Sequence, residues 1–92
     1  MARARRAKKK QVSYRLNEST VLREAGRKIA AARESLGLTQ EEAAHRARID
    51  YKRWQRIEGG AVNTTLRTLY RVAEALETNV WAMLEGRAPS RR

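Results

Sequence analysis

The chain has no cysteine and a single histidine in 92 residues. Those shortages remove disulfide frameworks, zinc fingers, thiol nucleophiles and most metal sites, because each needs several soft or imidazole donors at set spacings. No metal and no cofactor are expected. His45 has no clustered acid beside it, so an enzyme active site has no support and His45 reads as solvent-exposed filler. No run approaches the ~18 consecutive apolar residues of a membrane span, and the N-terminus lacks the apolar stretch of a signal peptide. The expectation is a cytoplasmic protein with no membrane partner. Alternating apolar and polar positions, the mark of a half-buried strand, are missing throughout, whereas helical spacing recurs in nearly every segment. An all-α fold follows.

What is abundant is positive charge: 21 Lys and Arg against 10 Asp and Glu give a formal net charge of +11. A small body so charged attracts polyanions, nucleic acid first among them. Arg3, Arg5, Arg6, Lys8, Lys9 and Lys10 crowd residues 3–10, yet the remainder keeps a positive excess, so arm and domain both favour such a partner. The length allows one domain with a modest core. Residues 1–16 read as a basic flexible arm, since from Met1 to about Val12 there is almost no large apolar side chain to offset the entropy of ordering. Residues 87–92 hold the only proline and two terminal arginines and read as a frayed basic tail. The ordered domain is 17–86.

Within it, a first helix starts near Asn17 or Ser19 and carries Leu22, Ala25, Ile29, Ala32 and Leu36 at three- and four-residue spacing, before Gly37 ends it. Thr39 stands three residues before Glu42, the reciprocal capping-box arrangement. A second helix therefore runs from Gln40 to about Ala47, with Ala43, Ala44 and Ala47 inward. Asp50 caps a third helix that ends at Glu58, where Gly59 and Gly60 permit left-handed backbone. Trp54 and Ile57 share its buried side, leaving Tyr51, Lys52, Gln55 and Arg56 as a basic, hydrogen-bonding outer surface. A fourth helix begins at Asn63 or Thr64 with Leu66, Leu69, Val72, Ala73 and Leu76 inward; a short fifth begins at Asn79 with Val80, Met83 and Leu84.

Two eight-residue helices joined by a short turn and buttressed by others form the unit that presents a helix to a DNA major groove about 12 Å wide. The run Gly37-Leu38-Thr39-Gln40-Glu41-Glu42-Ala43-Ala44, then Ile49-Asp50, then Arg56-Ile57-Glu58-Gly59-Gly60, then Leu66 through Leu76, resembles the phage-repressor/Cro (Xre-type) helix-turn-helix family, in order and without a gap from about Leu22 to Leu84. The resemblance implies a compact five-helix, lambda-repressor-like domain that binds double-stranded operator DNA as a two-fold homodimer. It places Tyr51, Lys52 and Arg56 at base edges and Gln40 at a phosphate. Beside them Gln55 is a flanking candidate for a base edge and Thr39 and Arg53 are candidates for phosphates, while Lys8, Lys9 and Lys10 of the arm, being close to the domain, are expected to touch phosphates too. Arg56 leads for a base contact, against a phosphate contact or an internal ion pair. Tyr51 meets either a thymine methyl or a phosphate. Arg33 and Glu58 match positions that form a structural ion pair between the first and third helices.

Two departures from the family pattern bear on shape. Arg48 stands where glycine commonly sits in the turn, and an arginine at positive φ costs on the order of 1 kcal/mol, so a differently shaped turn is expected. Glu77 replaces a frequent glycine after the fourth helix. Trp81, at a position often polar in the family, suggests an exposed dimer contact with Leu84 and Tyr70, against partial burial in the monomer. Two functions stay open: a sequence-specific transcriptional regulator, a repressor acting on a pseudo-palindrome and residing at the nucleoid; or an interaction module, such as an antitoxin or co-regulator, whose main partner is another protein.

Overall fold

Asn17 opens the first helix by accepting the Thr20 backbone N–H on its side chain at 2.8 Å. The computed structural model describes residues 17–61 and 63–86. The expected basic arm, with Lys8, Lys9 and Lys10, and the expected tail lie outside the described residues. From Asn17 the helix α1 runs over Glu18–Ser35, burying Gly26, Ile29 and Ala32, and Leu36 caps it. Gly37, at φ +71°, turns the chain. The Thr39/Glu42 capping box is formed in both directions, at 3.0 and 2.9 Å, and opens α2, Gln40–Ala47. Its buried Ala43, Ala44 and Ala47 are small enough to let neighbouring helices approach closely.

The turn after α2 departs from expectation. Arg48 takes the left-handed conformation, φ 59° and ψ 45°, that glycine would supply at no steric cost. The turn keeps its shape because its closing bonds hold it: Arg48 N–H donates to His45 O at 3.1 Å and Ile49 N–H to Ala44 O at 2.9 Å. Ile49 is then seated in the core. Burial of that side chain outweighs a backbone penalty on the order of 1 kcal/mol. Arg48→Gly is expected to remove most of the penalty while adding some unfolded-state entropy, for a net gain of about 0.5–1 kcal/mol, read as a rise of a few degrees in the thermal midpoint. An unchanged or lower midpoint would show that the arginine is not strained there. Glu77 is left-handed as well, at φ 61°.

Asp50 caps α3, Tyr51–Glu58, taking the Lys52 and Arg53 backbone N–H groups on Oδ2 at 3.1 and 3.3 Å. Of the two glycines that follow, only Gly60 is left-handed, at φ +72°; Gly59 keeps a right-handed φ of −82°. The fourth helix, α4, spans Leu66–Ala75 and is capped by Thr65, not by Asn63 or Thr64. Thr65 Oγ1 accepts from Thr68 N–H at 3.1 Å, while Asn63 is occupied with the Thr64 N–H inside the loop. This start corrects the expected position of Leu66, which is 70% exposed. At about 100° per residue Thr68 lies close to Val72 on the helix face, and Leu66 lies about 120° away from it. Asn79 caps α5, Val80–Glu85, and Gly86 closes it at φ +81°.

Trp54, Ile29, Leu76, Met83 and Val72 are the largest fully buried side chains, so all but α2 place a large residue at the centre. α2 packs on α3 and α4; α1 packs on α3 and α5. The architecture is all-α, five helices with no strand among the described residues. The pair α2–α3 rests on α1 and α4, leaving one side of α3 uncovered.

Candidate nucleic-acid interface

The uncovered side follows from the pattern of α3. Trp54 and Ile57 are one helical turn apart and both buried, which turns Tyr51, Lys52, Arg53, Gln55 and Arg56 to the exterior. Among the described residues the side chains of Lys52, Arg53 and Arg56 make no hydrogen bond or ion pair, so three cations stand uncompensated on one eight-residue helix. Such side chains are hydrated and free to trade water for an anionic or hydrogen-bonding partner. Tyr51 is 41% exposed and accepts from Gln55 Nε2 on its Oη at 3.2 Å.

Glu58, the last residue of α3, holds this surface in place. Its carboxylate accepts from Arg33 Nε at 2.6 Å, Arg33 Nη2 at 3.1 Å, Trp54 Nε1 at 2.6 Å and Gln40 Nε2 at 2.7 Å. One side chain thereby ties α1, the start of α2 and the middle of α3 together. The Arg33 and Glu58 side chains are only 12% and 6% exposed, so the fork of two parallel bonds forms away from most solvent screening. The Glu58 hydrogen bonds raise the Arg33 guanidinium further above its ordinary pKa, and Arg33 Nη1 donates to Leu38 O at 2.8 Å. The expected Arg33–Glu58 contact is thus present, but within a larger cluster. The indole bond to Glu58 had a signal in the sequence, since Trp54 and Glu58 are four residues apart on one helix. The Gln40 bond had none, because it depends on how α2 crosses α3.

Gln40 is the other link. Its Oε1 accepts from Gln55 Nε2 at 3.4 Å, so the start of α2 and the outward face of α3 share a hydrogen-bonded chain. Thr39 is exposed, with its hydroxyl oxygen engaged in the capping box. The structure therefore brings Thr39, Gln40, Tyr51, Lys52, Arg53, Gln55 and Arg56 onto two adjoining helix ends. Away from them, Trp81 and Tyr70 are 69% and 59% exposed and line one apolar groove with Leu66 and Val80. Leu84 does not join it and packs against the core.

Chemically, the α2–α3 face offers ammonium and guanidinium donors, one phenol and the two amides of Gln40 and Gln55, and α3 itself exposes no carboxylate on its outer side. Among the described residues no group of three or more His, Cys, Asp or Glu is placed to hold a metal ion. No helix among the described residues is long and apolar enough to cross a membrane. No curated protein matches the chain. A family model described as a helix-turn-helix domain matches residues 26–84, from the middle of α1 to the end of α5. That match covers well over half of the chain and every element that builds the face just described, and the protein belongs to this Xre/Cro-type helix-turn-helix family.

Proposed function

We propose that the protein is a sequence-specific DNA-binding regulator of transcription, a repressor that sets α3 into the major groove of a pseudo-palindromic operator. The observation that carries this reading is the set of three uncompensated cations on the outer side of α3, with Glu58 locking that helix to its supports. Arg56 donates to a guanine edge, and Lys52, Gln55 and Tyr51 complete the base contacts. Arg53, Thr39 and Gln40 lie at phosphates; one Nε2 hydrogen of Gln40 is spent on Glu58 and the second remains for a phosphate oxygen. Lys8, Lys9 and Lys10 add charge near the backbone. Two copies joined through Trp81 and Tyr70 place their α3 helices about 34 Å apart, one DNA turn. A protein acting this way resides with the nucleoid in the cytoplasm.

Selection of bound duplexes from a random pool, with sedimentation to count subunits, tests the reading. An enriched inverted repeat is expected, with log K against log salt falling at roughly −0.9 per phosphate contact. A flat salt response and an unselected pool would sink it. Arg56→Ala should cost about 1–3 kcal/mol on the selected site and relax preference at one base pair per half-site. If the variant keeps both affinity and preference, Arg56 does not read a base. The interaction-module reading draws on the exposure of Leu66, Tyr70 and Trp81, which line one groove together and are not scattered singly over the surface. Pure non-specific binding in the pool experiment would favour it.

A further inference from the structure

Glu58 also decides which atom of a more distant side chain faces outward. An ionised carboxylate only accepts hydrogen bonds, so the Gln40 amide that meets Glu58 Oε1 at 2.7 Å must do so with Nε2. The Gln40 carbonyl is thereby turned the other way, toward α3, and an amide carbonyl likewise only accepts. Gln55 meets it with Nε2 at 3.4 Å, and the same Nε2 gives its second hydrogen to Tyr51 Oη at 3.2 Å. Both donors of the Gln55 amide are spent within the protein. Its Oε1 receives no donor among the described residues, and Gln55 lies on the exposed side of α3. Each amide orientation is dictated by the pure acceptor before it, back to a carboxylate that Arg33 and Trp54 immobilise.

We propose that this relay makes Gln55 a one-way reader, which offers DNA a carbonyl oxygen only and so selects an amino-bearing base, adenine or cytosine, on the strand it faces. The assignment rests on the reading of α3 as the helix in the major groove. There, adenine N6 and cytosine N4 are donors, whereas guanine O6 and thymine O4 are acceptors. A glutamine with a free amide grips adenine at N6 and N7 together. One whose Nε2 is engaged loses the N7 bond, and with it the distinction between adenine and cytosine. Against guanine or thymine, two oxygens confront each other without a proton between them, which disfavours the keto bases by roughly tenfold.

The test uses the full chain in three forms, wild type, Gln55→Leu and Gln40→Leu, each carried through selection from random duplex pools. Gln55→Leu identifies the base pair by losing preference there alone. At that pair the wild type should enrich adenine and cytosine together on one strand, roughly tenfold over guanine and thymine. Gln40→Leu frees the Gln55 amide to turn over, so the amino-over-keto preference at that pair should fall to about twofold, with the other positions of the site retained as a control for folding. Enrichment of guanine or thymine at that pair overturns the relay, as does a Gln40→Leu profile identical to wild type. An enriched site indifferent to Gln55→Leu also overturns the relay while leaving the DNA reading intact. A wild-type pool with no enriched site overturns the DNA reading itself.

Discussion

Replacing Glu58 with alanine is expected to remove about 3–5 kcal/mol of folding stability, because it leaves a largely buried guanidinium without its counter-charge. The Glu58 carboxylate is the acceptor for Arg33 Nε and Nη2, Trp54 Nε1 and Gln40 Nε2, at 2.6 to 3.1 Å. After its loss Arg33 keeps one short bond, to Leu38 O at 2.8 Å, and a distant approach to the exposed carboxylate of Glu34 at 3.6 Å. Trp54 is 0% exposed, so its indole N–H loses its acceptor away from bulk solvent and adds the cost of an unmade hydrogen bond, about 1–3 kcal/mol if nothing relaxes. These costs overlap, since the cavity left by the side chain can admit a water molecule, and the ion-pair figure is the better guide to the total. Against a typical stability of about 5–15 kcal/mol for a domain, the thermal midpoint should fall by roughly 12 °C or more.

A comparison separates charge from shape. Arg33→Met alone leaves Glu58 with two neutral donors and should cost less than Glu58→Ala. Arg33→Met combined with Glu58→Leu removes both charges and should recover part of the loss, since a buried pair replaced by apolar side chains is often near neutral. A Glu58→Ala variant that melts within a degree or two of wild type would mean that the cluster is looser than its distances indicate. The functional consequence is separate from stability. With Glu58 gone, α3 loses its tie to α1 and to the start of α2, so DNA affinity should drop even under conditions where the variant remains folded.

The parts of the fold legible in the sequence are those written in local chemistry. Thr39 and Glu42 define the start of α2 through bonds that need no other element, and Asp50 does the same for α3. The outward set Tyr51, Lys52, Gln55 and Arg56 follows from the spacing of Trp54 and Ile57. Where the reading fails, a distant contact overrides a local preference. Arg48 accepts a backbone conformation it disfavours because Ile49 is buried beyond it. Leu66 looks like a core residue by type, but a cap at Thr65 sets it in the first turn of α4, with Thr68 on the buried side. The junction of Gln40 with Gln55 joins residues fifteen apart, and nothing in either segment announces the other. Gly26 is passed over in the sequence reading, although a glycine inside a helix sacrifices about 1 kcal/mol relative to alanine; the structure shows a backbone passing close by.

That backbone is the end of α3, and Gly26→Ala should for this reason be among the most damaging single substitutions in the protein. A Cβ on Gly26 would stand 2.6 Å from Ile57 O and 2.7 Å from the Glu58 carbonyl carbon, and nearer still to Glu58 O. All three are main-chain atoms, so no side chain can swing aside; α1 and α3 must part, or α3 must unwind its last turn. The cost of such overpacking is typically about 1–3 kcal/mol and occasionally more; with rigid backbone on the far side the top of that range applies. The helix-propensity gain of about 1 kcal/mol offsets only part of it. A net loss of about 2 kcal/mol should lower the thermal midpoint by roughly 8–16 °C. Gly59→Ala is the matched control: its φ is right-handed and its Cβ would meet nothing closer than 3.4 Å, so its midpoint should stay within a few degrees of wild type. If Gly26→Ala instead proves more stable than wild type, the propensity gain has gone unopposed and α1 does not press against α3. In that event Arg33 would lose the close helix contact that sets it against Glu58, and the rigid presentation of α3 would need another cause.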